Sequence, residues 1–247
     1  MKALTSLKGK VALITGASRG IGRATAIRLA EGGAAVVMGA TSVTLLKSLQ
    51  QELEERGRDA RAQRCDITQR EECENLVHET LSRFGKIDIL VNNAGVGFSG
   101  TIVDSDPDMV ERMVAVNILG VYYITRAILP GMINRQRGDI INIGSVAGIK
   151  YSPRFAIYSA TKFAVRAFSE ALRNEVQEHN IRVTLVQPGM TQTAFFDSFA
   201  RKGSPIPLDK GEILRPEDIA DAIYFALSRP DGVAVNDVTV RPVWQER

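Results

Sequence analysis

The amino-acid sequence predicts an α/β domain with a doubly wound parallel sheet of about seven strands. Short β-branched runs alternate with longer helical patterns along all 247 residues. The runs are apolar throughout, as strands covered by helices on both faces must be. A glycine-rich turn, TGASRGIG (15–22), follows the first run directly and opens the first helix.

Each element follows from its own stretch of sequence. VALIT (11–15) reads as the first strand, with a helix from about Ile21 to Gly32. VVM (36–38) is the second, before a Leu/Lys/Glu-rich helix from Ser42 to Arg56. ARAQRCD leads through a third strand to a helix from Thr68 to Phe84. IDILVNN (87–93) is the fourth strand; Asp106 as N-cap and Pro107 in the first position then open a long helix to about Arg135. DIINIGS (139–145) is the fifth, followed by the helix carrying YSATK. IRVTLVQPG (181–189) is the sixth, and a helix begun by RPEDIADAIYFAL precedes a last strand near DVTVRP. One domain spans residues 1–247, and its ligands are expected outside the carboxyl ends of the strands.

Composition excludes several classes. A formal charge of +3 is too small to imply a nucleic-acid or membrane partner. Cys65 and Cys73 form no paired framework, and with His78 and His179 they make a poor metal set, so no metal site is expected. The start, MKALTSLKGK, lacks the apolar core of a signal peptide, and no run approaches the length of a membrane span. A soluble cytoplasmic protein is the expectation.

The glycine turn is the first functional signal. Gly16 allows a tight turn, Gly20 lets the backbone approach a pyrophosphate, and Gly22 allows close helix–strand packing. The helix N-terminus offers unpaired N–H groups and partial positive charge to phosphate. A dinucleotide site is therefore expected; a ligand-free glycine turn is the alternative.

With these residues in view, the chain resembles the short-chain dehydrogenases/reductases, in the branch of about this length. T-G-x-x-x-G-x-G is met by Thr15, Gly16, Gly20 and Gly22, and N-N-A-G after the fourth strand by Asn92, Asn93, Ala94 and Gly95. Asn117 on the next long helix, Ser145 ending the fifth strand and Y-x-x-x-K as Tyr158 and Lys162 also match. So do Pro188, Gly189 and Thr191 after the sixth strand. The resemblance covers essentially the whole chain and implies a Rossmann-type sheet and an NAD(P)-dependent oxidoreductase.

It also implies roles. Tyr158 protonates the substrate's carbonyl oxygen, Ser145 donates to that oxygen, and Lys162 holds the nicotinamide ribose and lowers the tyrosine pKa. Tyrosine and lysine four residues apart share a helix face, which suits that pairing. Asn117 is expected to support a water relay. Ser18, Arg19, Ile21 and Ile67 are expected at the cofactor with the glycines, and Asn93, Ala94 and Gly95 approach it by backbone. Asp66 resembles the adenine-contacting Asp of the family, with a cap for the stretch from Thr68 as the alternative. Asn92 reads as a brace at the strand end. Residues 190–209, with Phe195, Phe196 and Phe199, resemble the family's substrate lid, the alternative being a helix packed on the core.

The cofactor expectation is NADP over NAD. Relatives that use NAD carry an acidic residue at the end of the second strand; here Ala40, Thr41 and Ser42 stand there, and Arg19 supplies positive charge. An NADP-dependent carbonyl reductase or alcohol dehydrogenase on a small-molecule substrate leads. A 3-oxoacyl-(acyl carrier protein) reductase is the alternative, suggested by ATS (40–42), ASRGIG and IGSVAG (143–148). The ending VTVRPVWQER lacks the glycine pair of those reductases and looks more like broad-range reductases and hydroxy-acid dehydrogenases. A non-enzymatic NADP sensor is a third possibility, set against the intact Ser145, Tyr158 and Lys162. A homotetramer is expected from Val121, Tyr122, Phe163 and Phe168, since family members pair these two helices across a two-fold axis; internal packing is the alternative.

Overall fold

Runs such as VALIT and DIINI have no polar face to show to water, and they become the buried centre of the molecule. The structure, a computed structural model, describes residues 6–195 and 211–245. Its strands are β1 (Val11–Thr15), β2 (Ala35–Ala40), β3 (Ala60–Arg64), β4 (Ile89–Asn92), β5 (Gly138–Ile143), β6 (Ile181–Pro188) and β7 (Asp237–Val240). All seven are parallel, in the order β3-β2-β1-β4-β5-β6-β7. The order reverses between β1 and β4, which opens a crevice at their carboxyl ends.

Two helical layers cover the sheet. Strand side chains alternate between faces, so Ala12 and Ile14 of β1 enter one core cluster and Leu13 the other. The first cluster takes Leu29 of α1 (Gly20–Glu31), Leu46 and Leu49 of α2 (Val43–Glu55), and Ile219 and Ile223 of the last helix. The second takes Leu76 of α3 (Arg70–Phe84), Ile124 and Ile128 of α5 (Gly120–Asn134), and Leu172 of α6 (Ala156–Val176). Between α3 and α5 lies α4 (Pro107–Val114), and α7 (Pro216–Leu227) is that last helix.

Sequence and structure differ at some borders. The third helix starts at Arg70 rather than Thr68, because Thr68 is held in a turn by Asp66. A π-helical turn, Ala115–Leu119, links α4 to α5, making one helical run to Asn134. By length and composition this run could cross a membrane, against the expectation that none could. Its Ile124, Ile128 and Met132 are instead spent on the core. Of the residues expected to lie beyond the core stripe, Val121 is buried and Phe168 packs against the second cluster. Tyr122 and Phe163 do reach the surface.

Candidate active site

Backbone geometry builds the glycine turn. Gly16 and Gly20 have φ of +65° and +55°, a region costly for residues with a β-carbon. A β-carbon on Gly16 would also stand 2.8 Å from the Cα of Ala94. Two residues tie the turn to the end of β4. Thr15 Oγ1 accepts from the backbone N–H groups of Asn93 and Ala94 at 3.1 Å each. Asn93 Nδ2 donates to the carbonyls of Thr15 at 2.9 Å and Gly16 at 3.1 Å. Gly22 lies behind the turn, where a β-carbon would run into Asn93 and the Gly16 carbonyl. The N-cap residue of α1, Arg19, makes no side-chain cap bond, which leaves the first N–H groups of the helix to face a ligand.

The turn opens on a crevice of about 1330 Å³. Gly16, Ser18, Arg19, Gly20 and Ile21 line it at the end of β1, and Thr41, Asp66 and Ile67 after β2 and β3. Asn93, Ala94 and Gly95 line it beyond β4, with Ser145, Tyr158 and Lys162 beyond β5, and Pro188, Gly189 and Thr191 around the end of β6. The size of the crevice, the positive-φ glycines and the uncapped helix fit a dinucleotide. Ser42 is absent from this lining and sits at the N-cap position of α2. Asp66 lines the crevice and also holds Thr68, its Oδ1 accepting from the Thr68 N–H at 3.0 Å and hydroxyl at 2.8 Å.

Asn117 is likewise absent from the lining, and its side chain is fully engaged elsewhere. Its Oδ1 accepts from Val96 N–H at 2.9 Å, while Nδ2 donates to Val96 C=O at 2.9 Å and Thr161 Oγ1 at 3.0 Å. It therefore clamps the loop after β4 to the helix of Tyr158. Asn117 sits in the π-helical turn, a local distortion frequent at functional sites. Asn92 braces β4 to its neighbours, donating to Thr125 Oγ1 at 3.0 Å and Asn142 Oδ1 at 2.8 Å.

Ser145, Tyr158 and Lys162 are brought together and are all buried. Ser145 Oγ accepts from Ala147 N–H at 3.1 Å and hydrogen-bonds Tyr158. Lys162 Nζ donates to the carbonyl of Ile143 at 3.0 Å. Burial pushes the Tyr158 hydroxyl up to about 12, opposed by the Ser145 hydrogen bond. Burial pushes Lys162 down to about 8. Burial thus opposes the lowering of the tyrosine pKa expected from Lys162.

An apolar wall surrounds the tyrosine. Phe155 and Phe195 place their ring centres 6.5 and 5.9 Å from that of Tyr158, and Met113 packs in the same cluster. Of the expected lid, Met190–Phe195 are described and the remainder, residues 196–209 with Phe196 and Phe199, lies outside the described residues. Sequence reasoning missed the C-terminal contribution. Arg241, Trp244 and Gln245 line the crevice, as do Ile149 and Lys150 beyond Ser145. The departure of VTVRPVWQER from the resembling reductases was the available signal, read only as a difference of branch.

Comparison with known proteins agrees with this geometry. Residues 10–203 match the family described as short chain dehydrogenase. An uncharacterized oxidoreductase of Staphylococcus saprophyticus is 38% identical over 244 residues, covering 97% of this chain and 100% of the relative. A serine dehydrogenase solved in a closed form with NADP+ superposes with a TM-score of 0.89 at 32% identity, covering 96% of each chain. A 3-ketoacyl-(acyl-carrier-protein) reductase of Brucella melitensis, complexed with NADH, has a TM-score of 0.87 at 34% identity. The match covers 96% of this chain and 98% of the reductase.

Proposed function

The chain belongs to the short-chain dehydrogenase/reductase family of NAD(P)-dependent oxidoreductases, and from that premise we propose that it interconverts ketones and alcohols with NADP, Tyr158 serving as general acid and base. The convergence of buried Ser145, Tyr158 and Lys162 beside the glycine turn carries this reading. NADP, when bound, supplies or accepts the hydride. Ser145 donates to the carbonyl oxygen, where negative charge develops; one such donor contributes on the order of a hundredfold in rate. Tyr158, neutral in its apolar surroundings, gives its proton to that oxygen. The Lys162 ammonium favours the phenolate left behind. Asn117 holds the loop and helix that frame these groups, so it acts as a positioning residue.

Preference for NADP over NAD is supported by the end of β2, where Ala40 and exposed Thr41 stand in place of an acid. Exposed Arg19 in the glycine turn supplies a cation for the 2′-phosphate. A carrier-protein-borne 3-oxoacyl substrate is the second reading, supported by the similarity to the Brucella melitensis reductase. A screen of ketones and a 3-oxoacyl thioester, followed at the nicotinamide absorbance, tests both. Turnover of free ketones with NADPH supports the first reading, and turnover of the thioester alone the second. Tight NADPH binding with no turnover of either would contradict the proposal.

A further inference from the structure

The strand order separates the charged residues of the crevice into two groups. Arg19 and Asp66 follow β1 and β3, on the half assigned above to the adenosine end of the cofactor. Lys162 belongs to the catalytic group. Three charged lining residues remain: Arg112 on α4, Lys150 after Ser145 and Arg241 after β7. All three are cations. Asp66 is the sole acidic side chain among the described residues of the lining.

Arg241 is placed by a chain of adjacent strand ends. β5, β6 and β7 are neighbours, and they deliver Ser145, Gly189 and Arg241 to the same side of the crevice. Gly189 N–H donates to the Val240 carbonyl at 2.7 Å, and a β-carbon on Gly189 would stand 2.7 Å from Arg241 Cβ. The backbone there is pinned on both sides. Gln187 Nε2 donates to both carboxylate oxygens of Asp237 at 2.7 and 2.8 Å. Beyond Arg241, Trp244 Nε1 donates to the Glu212 carbonyl at 2.8 Å, and Gln245 Oε1 accepts from Met190 N–H at 3.0 Å. Arg241 itself is half-buried, and neither it nor Lys150 forms an ion pair with a described residue.

We propose that Arg241, assisted by Lys150, binds a carboxylate of the substrate, so that the molecule reduced is an oxo acid and the alcohol formed is a hydroxy acid. This deepens the reading above and rests on it. A half-buried guanidinium without an acidic partner suits a planar anion that it can hold by two parallel hydrogen bonds. Among the described residues of this half no carboxylate is present to partner an ammonium group, which favours a simple acid over a zwitterionic amino acid. Ile149, Phe155, Met190 and Phe195 also line the crevice and suit an aliphatic chain between carbonyl and carboxylate or beyond them.

The test compares 2-oxohexanoate and 3-oxohexanoate with their methyl esters and with 2-hexanone, using the full chain and NADPH. At least one acid should exceed its ester in kcat/KM by about tenfold or more, the scale of a charge-assisted hydrogen bond. Arg241→Gln should collapse that acid-to-ester ratio, chiefly through KM of the acid, and Lys150→Gln should reduce it in the same direction. The Lys150 variant carries the test if the Arg241 variant does not fold. Reduction of esters or 2-hexanone with no preference for an acid would overturn this inference and leave ketone reduction standing. A ratio unmoved by both substitutions would overturn the assignment to these two cations. NADPH binding without reduction of any of the compounds would bring down the parent reading and this one together.

Discussion

The ammonium nitrogen of Lys162 lies 5.8 Å from the centre of the Tyr158 ring, over its face. Its hydrogen bond goes to the carbonyl of Ile143, so the lysine charge is held beneath the ring by the end of β5. Burial then acts on the two groups in opposite senses, favouring neutral tyrosine and neutral lysine. At neutral pH the tyrosine then keeps its proton, and the lysine is still mostly charged.

Lys162 should leave a mark on stability against pH. Its value in the folded chain is about 8, below its ordinary 10.5, so between those values the unfolded chain binds more protons. Stability from this group therefore rises as pH increases from about 8 to 10.5, and below 8 the full cost is present. A shift of this size corresponds to at most about 3 kcal/mol. Urea unfolding of the ligand-free protein and of Lys162→Met across this range should show the parent gaining on the variant. Parallel profiles would show that Lys162 titrates normally.

Arg19→Ala should weaken use of NADPH far more than use of NADH. The lost charge-assisted bond to a 2′-phosphate is worth about 1.5–3 kcal/mol, or roughly ten- to a hundredfold in kcat/KM. Steady-state kinetics with both cofactors measures it. An equal loss with both would place Arg19 at the pyrophosphate, and a parent enzyme preferring NADH would contradict the proposed specificity.

Much of this arrangement could be read from the chain, for identifiable reasons. Strands such as β1 and β5 are buried on both faces, so their β-branched runs between turn residues read as covered strands even with Asp139 and Asn142 inside β5. Gly16 and Gly20 were legible because positive φ leaves few residues to choose from. Asn117 was legible as a residue, whereas its bonds to Val96 and Thr161 were not, since they join distant segments and the π-helical turn that carries it has no sequence signal. Arg241 was missed because its place depends on the pairing of β6 with β7, a contact between distant segments. The desolvation that raises the tyrosine pKa could not be read, because spacing reveals the neighbouring lysine and is silent about burial.

The exposed apolar residues lead to an assembly prediction. Leu119 is 42% exposed, Tyr122 46% and Phe163 39%, on the helical run through α5 and on α6. Burying such side chains against a second copy would recover about 25 cal/mol per Å² of apolar surface. A homotetramer with two-fold pairing of these helices is the expected state. Light scattering at micromolar concentration should give four times the 27.0 kDa chain mass; a monomer mass would contradict it.

The central claim is that the Tyr158 hydroxyl delivers the proton, and Tyr158→Phe tests it most directly. The substitution keeps the ring against Phe155, Phe195 and Met113 and removes the hydroxyl, with its bond to Ser145. Measured on a ketone that the parent reduces well, kcat should fall by a factor of about a hundred or more. NADPH affinity, measured by quenching of Trp244 or by calorimetry, should change little, because the hydroxyl is aimed at the substrate. A folded Tyr158→Phe variant that binds NADPH and turns over at the parent rate would contradict the account.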